Sequence, residues 1–256
     1  MSQTFNIIAD GDSWFDYPKF LMTGGGLITH LEEVSGLEIT NFAHAGDSTL
    51  EALGLTKSQR LERLLAGANV LLFSGGGDDI AGDQFCLWLN QNDGGNDTSK
   101  AVCWPRLNAV LKLIIANYED LFAIRDRVAA NCLIVTHDYD YPVAARMGVG
   151  VLGFIGPWLK PSLDYCGWHD VEQQVEIVQI VLRAFASELM IFSRGNRLHL
   201  HVHTQGTLGP DDWDNEIHAN DAGWTKLAQV VNAALLPHLM AAAVPSPGSC
   251  GPESAD

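Results

Sequence analysis

The sequence predicts an α/β domain built on a five-stranded parallel sheet. Three observations carry that expectation. Five short apolar runs recur along the chain, longer segments with helical spacing lie between them, and small or acidic residues follow the runs. A strand of a parallel sheet is covered on both faces, so it reads as an unbroken apolar run. Alternation of such runs with amphipathic helices puts helices on both sides of the sheet. Ligands in that architecture bind beyond the carboxyl ends of the strands.

The expected strands are 5–9, 37–42, 70–73, 132–136 and 198–202. Helices are expected over 21–34 and 49–65, after the first and second runs. Segment 106–129 carries Leu107, Val110, Leu111, Ile114 and Ile115 at helical spacing. Segments 171–192 and 221–243 repeat the pattern. Two stretches break the alternation. Segment 82–105 is polar and rich in Gly and Asn, and 139–170 mixes aromatics, Gly and Pro. Both follow strands, so both are expected to overhang the site as loops or a lid. The result is one domain, 1–243, with two insertions, and a frayed tail at 244–256.

Composition excludes several functions. The 256 residues are 47 % hydrophobic and only 18 % charged, the reverse of a disordered chain. A formal charge of −16 repels phosphate backbones and anionic lipid, so neither nucleic acid nor a membrane surface is an expected partner. The five cysteines form no CxxC pair, which gives no sign of a zinc or redox site or a disulfide framework. No basic segment leads into an apolar core at the start, and no run of about 18 apolar residues occurs. The cytoplasm is the simplest location.

The strand ends carry the chemistry. The first run leads into Asp10-Gly11-Asp12-Ser13-Trp14, where a serine in a tight turn can present both its hydroxyl and its amide. The second leads into NFAHAGDS, with Gly46 at a turn. The third leads into SGGGDD, with Asp78 and Asp79 at its mouth. Near the C-terminus His218 precedes a helix whose N-cap is Asn220 or Asp221. This is a set for acyl transfer onto a small-molecule ester, without a cofactor or metal. Ser13 would attack a carbonyl and His218 would take its proton. The amides of Ser13 and Gly46 would face the oxyanion, with position 78 as a third donor.

These blocks resemble those of the SGNH, or GDSL-like, hydrolases. In order they read Gly11-Asp12-Ser13, Gly46, Gly76-Gly77-Asp78 and Asn215-Glu216-Ile217-His218. The resemblance implies a flavodoxin-like three-layer α/β/α sandwich with esterase, lipase or carbohydrate-deacetylase activity. Two positions depart from the family pattern. Asp78 stands where the family has an Asn that donates to the oxyanion. A protonated Asp78 would still donate, and apolar burial or the neighbouring Asp79 would favour that form. Asn215 stands where the family has the Asp that orients the histidine. Its carbonyl oxygen can accept from the ring but brings no charge. Alternation along an extended chain puts Asp214 and Glu216 on the side of His218, so both remain candidates for that task. A Ser–His dyad, or a backbone carbonyl, is equally admissible.

Plainer readings stand beside these. Ser13 could be a turn residue, Gly46 could serve only backbone conformation, and Asp79 is expected to cap the segment that follows it. His199, His201 and His203 alternate on one strand face; packing is expected rather than metal binding, with no carboxylate or Cys nearby to complete a shell. Tyr139, Tyr141 and Trp158 are sugar-stacking platforms or packing anchors, and GVGVLGFIGPWL lines an acyl pocket or packs the lid. Two other functions compete. A magnesium-dependent phosphatase of the haloacid-dehalogenase type would use Asp10 and Asp12 with Asp78 and Asp79, but it leaves Gly46 and His218 idle. A catalytically silent binding module on the same fold would account for Asp78 and Asn215.

Overall fold

The computed structural model describes residues 5–17, 25–151 and 155–243. Five parallel strands form one sheet: β1 (Ile7–Gly11), β2 (Ile39–Asn41), β3 (Val70–Ser74), β4 (Leu133–His137) and β5 (His199–Val202). Their order across the sheet is β2-β1-β3-β4-β5. β1 runs to Gly11 because its pairing with β3 continues to Gly11 opposite Ser74, two residues beyond the expected end. β2 is shorter than expected. It is an edge strand, and Thr40 and Asn41 are exposed.

Among the described residues, eight α-helices connect and cover the strands. They are α1 (Leu27–Ser35), α2 (Thr49–Ala52), α3 (Leu55–Leu65), α4 (Gly77–Ile80), α5 (Trp104–Val128), α6 (Lys160–Tyr165), α7 (Val171–Gly195) and α8 (Asp221–Ala243). α1 packs against α8, while α5 packs against α3 and α7, which gives a helical layer on either side of the sheet. The sandwich expected from the motifs is therefore present. In α5 the buried residues Leu107, Leu111, Ile114, Tyr118, Leu121, Phe122 and Arg125 recur at three- and four-residue steps. Asn220 caps α8, accepting the Gly223 amide on its side chain at 3.0 Å.

Three helical expectations need correction. The first helix begins at Leu27, since Gly25 has φ +110° and Gly26 is extended; 21–24 lie outside the described residues. The 49–65 segment is two helices, because Leu53 and Gly54 leave helical geometry and Gly54 starts α3 afresh. The insertions also hold short helical turns, at Asp83–Trp88, Thr98–Lys100 and Ala144–Arg146, besides α6. The tail 244–256 lies outside the described residues.

Gly11 sets the spacing at the centre of the sheet. Its φ is +141°, and a Cβ there would lie 2.0 Å from the Ser74 carbonyl oxygen. At the C-cap of α1, Gly36 has φ +70°, and a Cβ there would meet no atom within 4 Å. Gly11→Ala is therefore expected to lower the unfolding free energy by about 3 kcal/mol or more, against about 1 kcal/mol for Gly36→Ala. Urea unfolding of the two variants measures the difference; equal losses would remove the close approach as the cause.

Candidate active site

Ser13 sits in the turn directly after β1. Asp12 shapes that turn: its Oδ1 accepts the Trp14 amide at 3.0 Å and the Ser74 hydroxyl at 2.8 Å, and its Oδ2 accepts the Tyr139 hydroxyl. Asp12 is 1 % exposed, and burial pushes its pKa up. His137, stacked on the Trp14 ring, completes this buried cluster through Ser74 Oγ at 3.0 Å. Burial holds the His137 pKa down at about 4.

The structure brings His218 to Ser13. Nε2 of His218 lies 2.8 Å from Ser13 Oγ. Trp14 ties the two loops together by donating its indole N–H to the Ile217 carbonyl at 3.1 Å. Asn215 orients the imidazole, with Oδ1 3.0 Å from His218 Nδ1. The same oxygen accepts the amides of Ile217 and His218, both at 3.1 Å. Two backbone donors identify that atom as the oxygen, so the proton between Asn215 and the ring belongs to Nδ1. Neutral His218 then offers the Nε2 lone pair to the Ser13 hydroxyl. Burial alone drives its pKa down to about 3, so the ring is neutral at ordinary pH.

Asp214 and Glu216 do not touch the ring. The expected extended alternation fails because 214–218 is a tight turn: the Asp214 amide donates to the His218 carbonyl at 3.0 Å, and Trp213 bridges Ala219. Asp214 instead accepts the Tyr17 hydroxyl at 2.8 Å. Tyr17 in turn accepts the Asn215 amide at 2.9 Å and lays its ring 4.5 Å from that of His218. Glu216 is fully buried and turns the other way. Its carboxylate accepts amides of Gly148 and Lys160 at 3.0 Å, Leu159 at 2.7 Å and Trp158 at 2.5 Å. It fastens the 139–170 insertion to the histidine loop.

Asp78 lies in the first turn of α4, on the pocket wall with Ser13. Its pKa is raised to about 8, first by burial and then by the charges of Asp12 and Asp79. The protonated form therefore dominates at neutral pH. Asp79 does not cap its own helix. It accepts the Thr49 amide at 2.7 Å and the Thr49 hydroxyl at 2.8 Å, fastening α4 to α2. Gly46 is exposed at the turn after β2 with φ +89° and is outside the pocket lining.

A pocket open to solvent lies beside Ser13. Asp12, Asp78 and Glu216 mark its polar side. Its apolar walls include Phe85 from the first insertion, Leu159 from the second and a face of α7 formed by Val178, Val181, Leu182 and Phe185. Sequence reasoning missed the α7 wall and Tyr17, and weighed Glu216 only as a partner of His218. The apolar i, i+3, i+4, i+7 step from Val178 to Phe185 looks like any core-facing stripe; a Tyr four residues after the serine was the only available signal for Tyr17. Of GVGVLGFIGPWL, Leu159 lines the pocket, Ile155 is exposed and 152–154 lie outside the described residues.

The remaining candidates have structural partners. Tyr139 is buried against Asp12, and the Tyr141 hydroxyl reaches Gln205 at 2.9 Å. Trp158 sets its ring edge-on to His218 at 5.3 Å. A carboxylate does lie among the strand histidines, contrary to expectation. Asp138 accepts from His201 at 2.8 Å and from His203 at 2.5 Å, while His199 and His201 share the Thr136 hydroxyl. Of the four carboxylates a phosphatase would turn on a cation, two are engaged elsewhere, Asp12 with Ser74, Trp14 and Tyr139, and Asp79 with Thr49. Among the described residues no three His, Cys, Asp or Glu side chains are grouped to hold a metal. No described helix is long and apolar enough to cross a membrane.

No protein-family model matches the chain, and no curated protein matches its sequence. Solved structures do resemble it. The lipase Lip_vut3 from a goat rumen metagenome superposes with a TM-score of 0.58 at 15 % identity, over 90 % of this chain and 97 % of that one. Phospholipase A1 from Streptomyces albidoflavus NA297 gives 0.57 at 12 % identity, over 91 % and 100 %. The extracellular lipase of Streptomyces rimosus gives 0.56 at 14 % identity, over 90 % and 100 %. The chain thus has the fold of SGNH-type hydrolases along nearly its whole length.

Glu216→Gln retains the shape of the side chain but loses the anion that faces those amides. The variant is expected to lose roughly 2–4 kcal/mol of stability. Hydrogen exchange at 148–160 should quicken more than exchange in the sheet; unchanged exchange there would show that Glu216 does not hold the insertion.

Proposed function

We propose that this chain is a serine esterase that cleaves carboxylic ester bonds through an acyl-enzyme on Ser13. The observation that carries the reading is the 2.8 Å contact between Ser13 Oγ and a neutral, buried His218 whose other nitrogen is held by Asn215. The fold shared with lipases supports it. Ser13 attacks the ester carbonyl while His218 Nε2 takes its proton, and the resulting imidazolium returns that proton to the leaving alkoxide. Water then repeats the sequence on the acyl-enzyme.

The tetrahedral oxyanion is served by the Ser13 amide and by the O–H of Asp78, which share the pocket wall; the exposed Gly46 lies outside that wall. A neutral carboxyl donates as the family Asn would, and removing such a donor costs about 10²–10³ in rate. The substrate is a small-molecule ester whose acyl group lies along Ile80, Phe85 and the α7 wall. An apolar pocket of this kind suits a short or medium chain better than a polar acid.

A fluorophosphonate probe followed by peptide mapping tests the reaction class. Labelling is expected on Ser13 and absent in Ser13→Ala; an unlabelled parent would leave a silent binding module on this fold. A pH profile tests the Asp78 donor. His218 must be unprotonated and Asp78 protonated, so kcat/KM should hold from the low pKa of His218 up to about pH 8 and fall above it. Asp78→Asn removes the titrating proton and should retain activity above pH 8. A variant no faster than the parent at any pH would strike Asp78 from the oxyanion site.

A further inference from the structure

Building on the Ser13–His218 reading, we infer that Tyr17 and Asp214 are positioning residues, and that Asp214 polarises the imidazole through Tyr17 and Asn215. The relay runs His218, Asn215, Tyr17, Asp214, with contacts of 3.0, 2.9 and 2.8 Å. Chemistry fixes the direction of every proton in it. A side-chain amide nitrogen only donates, so Tyr17 Oη accepts from Asn215. A carboxylate only accepts, so the Tyr17 hydroxyl donates to Asp214. The Asn215 oxygen is already fixed by its two backbone donors. All three hydrogen bonds therefore point from the ring towards Asp214, and each polarises the next.

Burial explains why the charge stands at a distance. Asn215 is fully buried and Tyr17 is 2 % exposed, so a carboxylate at position 215 would bear a large desolvation cost. Asp214 is only half-buried and carries its charge where solvent still helps. The other groups around His218 do not supply a competing charge. Trp158 meets it edge-on, and the Glu216 carboxylate is turned to four amides. When Ser13 gives its proton to the ring, the new imidazolium faces an oxygen already made more negative by Asp214. No bond to hydrogen needs to break within the relay. Tyr17 also braces the ring face, but its hydroxyl is the part the relay uses.

Two variants test it with p-nitrophenyl butyrate as the probe ester. Tyr17→Phe and Asp214→Asn should each lower kcat by up to roughly tenfold with little change in KM, the low end of the scale for groups that orient a working imidazole from behind. Proton NMR of the His218 Nδ1–H resonance gives a reading independent of turnover, which a merely structural Tyr17 would not move in Asp214→Asn. It should move upfield in both variants at neutral pH. Resonance and kcat unchanged in both variants would overturn the relay. If the parent neither turns over esters nor labels at Ser13 while the resonance still shifts, the relay stands and the esterase reading fails.

Discussion

The contact between Ser13 and His218 joins residues 205 positions apart, and the rest of the site is arranged to make it. Neither residue lies in a regular element. Ser13 is held by the close passage of Gly11 over Ser74 and by the Asp12 turn, and His218 by the Asn215 turn before α8. The Trp14 indole spans the gap between the loops. A hydrogen bond contributes little net stability alone, but a proton transfer needs its two ends held to a fraction of an ångström. The Ser13 turn takes its rigidity from the sheet, which it leaves at the end of β1, and the His218 turn from its own hydrogen bonds.

The electrostatics follow from burial in a strongly acidic chain. Burial favours the neutral forms of His218 and of the half-buried Asp78. Those forms suit a base and a donor respectively. The carboxylates of Asp214 and Glu216 are held by hydrogen bonds, from the Tyr17 hydroxyl and from backbone amides respectively, and neither bonds to the His218 ring.

Much of this was legible in the sequence. The five strands and their helices could be read because a doubly covered sheet forces apolar runs, Ser13 because it follows a strand end, and His218 because it stands just before the last helix. What escaped was whatever depends on local turn geometry. An extended reading of 214–218 placed Asp214 and Glu216 beside the ring, whereas the Asn215 side chain folds that stretch back on itself. The break at Gly54 and the late start at Leu27 were hidden by apolar periodicity that runs through both. The histidines of β5 looked free of any carboxylate because Asp138 arrives from a neighbouring strand end. Tertiary neighbours of this kind leave no trace in spacing along one segment.

Ser13, His218 and the donors opposite them must surround one reacting carbon if the site works as an esterase. A crystal structure of the protein after reaction with a p-nitrophenyl phosphonate measures this most directly. Phosphorus is expected on Ser13 Oγ, with the alkyl group along Phe85 and Phe185 and the phosphoryl oxygen within hydrogen-bonding reach of the Ser13 amide and of Asp78. A phosphonyl group on another residue, or one whose oxygen points away from both donors, would contradict that arrangement.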